Sequence, residues 1–166
     1  MNEPMTAVAP DKEAIRSELE ATRTAYGVLV EQVGHANWKR PSGNPAWTCG
    51  QLAWHIASSV AFMAGQTENA MRGKALNPPA FLLPMLFKMS ELRVRFASRK
   101  ATPASVRADM DAGMTRFLAL LDATDPAALA TSATAFGETR TIAGMFRLPV
   151  THLAEHAEHI RSALDR

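Results

Sequence analysis

Between residues 12 and 33 the apolar positions fall on one stripe of a 3.6-residue period: Ile15, Leu19, Tyr26, Leu29, Val30 and Val33. The pattern predicts a helix over 12–33, capped by Asp11 and ended by Gly34. Residues 35–47 lack that period and carry Pro41, Gly43, Asn44 and Pro45, which reads as a turn-rich connection. Trp38 and Trp47 bracket it, and both indoles are expected to pin it onto the end of the fold. The helical period resumes after Thr48, a capping residue, through Leu52, Ile56, Val60 and Met63, and fades near Gly73.

The next stretch is less regular. Pro78 and Pro79 interrupt the chain, and AFLLPMLFKM then presents almost continuous apolar surface. A short helix entered or interrupted at Pro84 and running to about Phe96 is expected there. Core packing is its first reading; a lid, a hydrophobic wall or a dimer interface are the alternatives. Thr102 and Pro103 start a further helix whose buried face is Val106, Met110, Met114, Phe117, Leu118 and Leu121, stopped at Asp125-Pro126. The last helix is expected from Thr139 or Thr141 to about Leu164, kinked or restarted at Pro149.

These elements predict an all-α protein: a four-helix bundle with an extra short helical segment between helices two and three. The long connections leave a simple up-down-up-down order open. Residues 1–10, bracketed by Pro4 and Pro10, read as a flexible N-terminal tail ahead of one bundle domain spanning 11–166.

Composition narrows the function classes. With 47% apolar and 20% charged residues over 166 positions, the chain suits one soluble domain with a real core. A net charge of +2 does not argue for nucleic acid. The opening residues lack the apolar core of a secretory signal, and no apolar run approaches the roughly 20 residues of a membrane span. The single cysteine, Cys49, excludes an internal disulfide and suits a reducing compartment. The expectation is a cytoplasmic protein acting on a small molecule, with no nucleic-acid or membrane partner. Cys49 itself reads as an ordinary helix residue despite its place near a helix start.

The segment THLAEHAEHIRSAL, residues 151–164, carries the candidate chemistry. His152 and His156 are four apart, so their rings leave neighbouring turns of one helical face and could reach one metal ion. His159 continues the stripe, but it stands seven residues from His152, about 10 Å of helix rise, so a chelating pair must include His156. The row lies roughly 110° around from the apolar seam of Val150, Leu153, Ala157, Ile160 and Leu164, at the border of the core. On helix two, His55 flanks Leu52 and Ile56 in the same way. If the two helices are neighbours, His55 completes a three-nitrogen set with an open position, the coordination of catalytic metal sites. From the residues alone, two polar surface histidines and a hydrogen-bonded, half-buried His55 explain the pattern equally well.

The chain resembles the DinB-like four-helix superfamily, whose members include damage-inducible DinB proteins, bacillithiol transferases and the metal-binding domain of mycothiol-dependent maleylpyruvate isomerase. The resemblance rests on Trp47 and His55 in WTCGQLAWH, on His152, His156, His159 and Ile160 late in the chain, and on the WKRPSGNPAW approach to helix two. It covers about 12–165. It implies His55, His152 and His156 as ligands of one divalent ion, zinc or nickel, with His159 close by. Where the family often has a further histidine, this chain has Glu155, which could orient a ligand ring, accept a proton or simply be solvated.

The resemblance also implies a function. Relatives use the metal to bind a low-molecular-weight thiol as its thiolate and pass it to an electrophile. A metal-dependent S-transferase is therefore the first expectation. A metal-dependent hydrolase or isomerase on the same site, and a non-catalytic stress-related metal-binding module, are the alternatives. A homodimer is a further expectation. Lys88, Arg93, Arg95, Arg99 and Lys100 give the variable segment a basic bias, read first as a solvated face and second as a hold for a carboxylated thiol.

Overall fold

The computed structural model describes residues 11–166; the tail read at 1–10 lies outside them. Six α-helices and one short hairpin follow in order among these residues. Helix α1 spans Lys12–Val33, with the Asp11 carboxylate accepting from the Glu13 N–H at its start. It ends where Gly34 turns to φ +53°, a left-handed geometry that favours glycine. Helix α2, Cys49–Met71, opens with a reciprocal cap between Thr48 and Gln51. Helix α4, Pro103–Ala123, opens with the same device between Thr102 and Ser105 and has proline in its first turn.

The four long helices form the expected bundle, but consecutive α1 and α2 are not close neighbours. Each packs mainly against α4 and against α6, Leu148–Leu164. α1 and α2 therefore occupy opposite corners, and the 34–48 connection crosses between them. That placement sets α2 beside α6, the pairing that the histidines require. Tyr26 of α1 reaches through the core, where its hydroxyl donates to the Ala53 carbonyl at 2.8 Å.

Helix α3, Leu83–Ala97, follows a 3-10 turn at Ala80–Leu82 and has Pro84 in its first turn. The core reading of this segment is corrected: only Val94 of α3 is buried, while Met85, Phe87, Met89, Leu92 and Phe96 are exposed. A helix with one buried residue cannot be a core element; it lies over the side of the bundle.

The last helical stretch starts at Thr141 and restarts at Pro149, as the sequence predicts, but a hairpin that it did not predict precedes it. Residues Ser132–Ala135 and Glu138–Thr141 form an antiparallel pair, β1 and β2, in the register Ser132↔Thr141 to Ala135↔Glu138. The two residues between them, Phe136 and Gly137, both have positive φ (51° and 80°), the geometry whose twist suits a two-residue hairpin. Thr141 then caps the short helix α5, Ile142–Phe146. The chain breaks at Arg147 and restarts as α6 with Pro149 in its first turn. Arg147 fixes this joint by donating to both carboxylate oxygens of Glu18 on α1, at 2.6 and 3.0 Å.

Candidate metal centre

His55 stands two turns into α2, and His152 and His156 stand on successive turns of α6. Around His55, α2 buries Leu52, Ala53, Ile56 and Ala57; beside the α6 pair, Leu153, Ala157 and Ile160 are buried. Each histidine thus flanks the packed seam of its own helix, at the depth that the sequence pattern predicts. The three rings meet. Their centroids are 4.9 Å (His55–His152), 5.1 Å (His55–His156) and 4.4 Å (His152–His156) apart. They form a cluster in which one ligand atom from each lies within 4.8 Å of the others.

Two nitrogens at about 2.1 Å from a shared ion stand at most about 4.2 Å apart, so a small inward rotation of the rings suffices to grip one. The donor chemistry fits as well. Nε2 of His152 and Nδ1 of His156 are buried without any hydrogen-bond partner. Unpartnered buried polar atoms are rare and costly, about 1–3 kcal/mol each, and a bound cation would satisfy both nitrogens together.

Electrostatics keeps the rings in the form a metal needs. Burial pushes His55 down to about 4, with help from His156 and Arg93. Burial pushes His152 down to about 3, with His55 and His156 adding to it. His156 is lowered too, chiefly by burial, with Glu155 pulling the other way. Three neutral imidazoles with free lone pairs are therefore the resting state at neutral pH.

Glu155 is exposed and forms no ion pair within the described residues. His159 is half-buried with its ring 6.3 Å from that of His156, outside the three-ring cluster. Its backbone serves a different purpose, because the carbonyl accepts the Gly43 N–H at 2.7 Å and so clips the 34–48 connection onto α6. The fifth histidine, His35, lies just past the end of α1 and takes no part.

That connection is stitched at several points. Trp38 donates from Nε1 to the Ala101 carbonyl at 3.0 Å, and its ring lies on Gly50, where an added Cβ would come within 2.5 Å of it. Trp38 is the pin that the sequence predicts. Trp47 is not only a pin: its ring packs 4.7 Å from His55 and 6.4 Å from His156 and lines a pocket at the centre. Cys49 is fully buried beneath this region, with its thiol pushed up by burial, which suits an ordinary structural residue.

The pocket, about 470 Å³, has His55 and His152 on its wall. Its lining is mostly apolar, with Phe62 and Met63 from α2, Phe87 from α3 and Met145 from α5. The hairpin closes another side through Phe136, whose ring meets that of Phe62 at 5.9 Å, while Glu91, Glu138 and Arg140 supply charge. Sequence reasoning had Met63 only as a core residue and Phe87 only within a possible hydrophobic wall, and it missed Phe62, Phe136 and Met145. Ser59, Phe62 and Gln66 recur with His55 at helical spacing along α2, a signal that was present. The hairpin had only the Phe136-Gly137 pair to mark it, without the Asn-Gly or Asp-Gly of the strongest hairpin turns.

Similarity to known proteins identifies the family. The DinB superfamily matches residues 18–160, and the chain belongs to it. No curated protein matches, and no solved structure matches.

Proposed function

We propose that this member of the DinB superfamily is a metal-dependent enzyme that transfers a low-molecular-weight thiol to an apolar electrophile. His55, His152 and His156 hold one divalent ion, zinc or nickel; imidazole suits both. When bound, such an ion lowers the pKa of a thiol that joins it, giving a strong nucleophile at neutral pH. The chain supplies the rest. Burial holds the three rings neutral and their lone pairs free. The pocket beside His55 and His152 offers Phe62, Met63, Phe87, Phe136 and Met145 as an apolar bed for the second reactant and limits the entry of water. The observation that carries this reading is the pair of orphaned buried nitrogens, on His152 and His156, in rings clustered with a third imidazole at the wall of an apolar pocket.

Elemental analysis of protein prepared without a histidine tag tests the first step, with about one divalent ion per chain expected. His156→Ala should lower metal affinity at least about 100-fold, more than the loss of a supporting residue would, and abolish thiol conjugation. Retained metal in that variant overturns the ligand set. Turnover of esters, amides or isomerisable substrates without thiol would replace transfer by the hydrolase or isomerase reading on the same centre.

A further inference from the structure

Four buried side-chain nitrogen or oxygen atoms among the described residues lack a hydrogen-bond partner: Trp47 Nε1, Thr67 Oγ1, His152 Nε2 and His156 Nδ1. Three of the four belong to rings gathered at one place, since Trp47 packs on His55 and His55 on both α6 histidines. A cation accounts for the two imidazole nitrogens. It cannot account for Trp47, because an indole N–H only donates and would be repelled by positive charge. The centre therefore has unmet demand for a cation, and the indole packed against it has unmet demand for a hydrogen-bond acceptor.

No protein group among the described residues supplies that acceptor. Trp38, the neighbouring indole in the same connection, shows what a structural tryptophan does here: its N–H is bonded to the Ala101 carbonyl. Trp47 differs in lining the pocket together with His55 and His152. We infer that Trp47 is a positioning residue whose indole N–H binds an acceptor atom of the thiol seated at the three-histidine centre.

This inference rests on the metal-and-thiol reading above and adds the residue that orients the ligand. The acceptor is either the sulfur or a carboxylate oxygen carried by the thiol; an N–H meets both in the same way. An acceptor held beside the imidazoles fixes the direction of the remaining ligand body, which then lies along the wall of Phe62 and Met63. Loss of a hydrogen bond to a charged acceptor weakens binding by roughly tenfold or more.

The test uses zinc-loaded full-length protein with the chain's three tryptophans labelled at the indole nitrogen. Trp47→Phe keeps an aromatic ring against His55, removes the N–H, and identifies the Trp47 resonance as the one that disappears. Titration with 3-mercaptopropionate should move that resonance downfield while the Trp38 resonance stays in place. In the Trp47→Phe protein, metal content should remain at one ion per chain while the dissociation constant for 3-mercaptopropionate rises about tenfold. A parallel loss for propane-1-thiol assigns the sulfur as acceptor; a loss confined to 3-mercaptopropionate assigns the carboxylate. A Trp47 resonance that stays still at saturation, or equal affinities in the two proteins, overturns the inference and leaves the metal-and-thiol reading intact. A wild-type protein without metal overturns that reading instead.

Discussion

The two sides of the pocket are built to different standards of packing. On one side, His55, His152 and His156 project from α2 and α6, helices whose neighbouring residues are fully or almost fully buried. Three separate links hold that side: Tyr26 to Ala53, the paired bonds of Arg147 to Glu18, and Gly43 to His159. On the other side, α3 buries a single residue, and no residue of β1 or β2 is buried. The hairpin tip is held by the Phe136 N–H on the Leu76 carbonyl and the Gly137 N–H on the side chain of Asn77, both from an irregular segment. A metal centre tolerates little error in ligand placement, so it belongs on the well-packed side. The facing wall comes from the weakly packed side, where local opening costs least.

The strongest way to break this contrast is to damage the packed side at a point that touches none of the three histidine rings. At Gly50, a Cβ would lie 2.5–2.6 Å from three atoms of the Trp38 indole, which is itself tied to Ala101. Gly50→Ala must displace that indole, and overpacking of this kind costs about 1–3 kcal/mol. Urea unfolding should show a lower midpoint at unchanged slope. A loss smaller than about 0.5 kcal/mol would mean that the connection is looser than its bonds imply.

Acid probes the centre itself. In the unfolded chain these imidazoles titrate near their usual value of about 6.5. In the fold His55 is pushed down to about 4 and His152 to about 3. Between those limits the unfolded chain binds more protons, so folding stability falls as pH falls. The melting temperature of chelator-treated protein should therefore be flat above about pH 7 and decline from about pH 6.5 toward about pH 4. His152→Leu removes one of the responsible groups and should flatten the slope. An unchanged slope would mean that His152 is not held neutral by burial.

How much of this was legible beforehand follows the same division. The long helices announced themselves because one-sided burial imposes a 3.6-residue period, and Asp11, Thr48 and Thr102 mark their starts with side chains that satisfy free backbone N–H groups. The histidines were readable as candidates for a related reason: each borders an apolar seam, so the seam fixes its direction. Their convergence was not readable from the pattern, because it depends on α1 and α2 taking opposite corners. The family resemblance supplied that link. The weakly packed side left little trace. The residues of β1 and β2 are intermediate or exposed, so burial writes no alternation of apolar and polar types into them. On α3 the apolar residues face both the pocket and solvent, and the resulting run resembles a core segment.

The smallest expected effect is the most direct check of the loosely packed side. At 100° per residue, Met85, Met89, Leu92 and Phe96 fall within an arc of about 60° on α3, opposite the buried Val94. Phe87 lies on the Val94 side and lines the pocket, so it is excluded from that outward stripe. Met89 and Leu92 are more than half exposed. Replacing both by glutamine removes side chains that the chain itself does not bury, and stability should change by no more than about 0.5 kcal/mol, with metal content unaltered. Denaturant unfolding at several protein concentrations reads the result. A loss above about 1 kcal/mol that grows with protein concentration would mean that the stripe is covered by a second copy in solution. The helix would then be as well packed as α2 and α6, and the contrast between the two sides of the pocket would vanish.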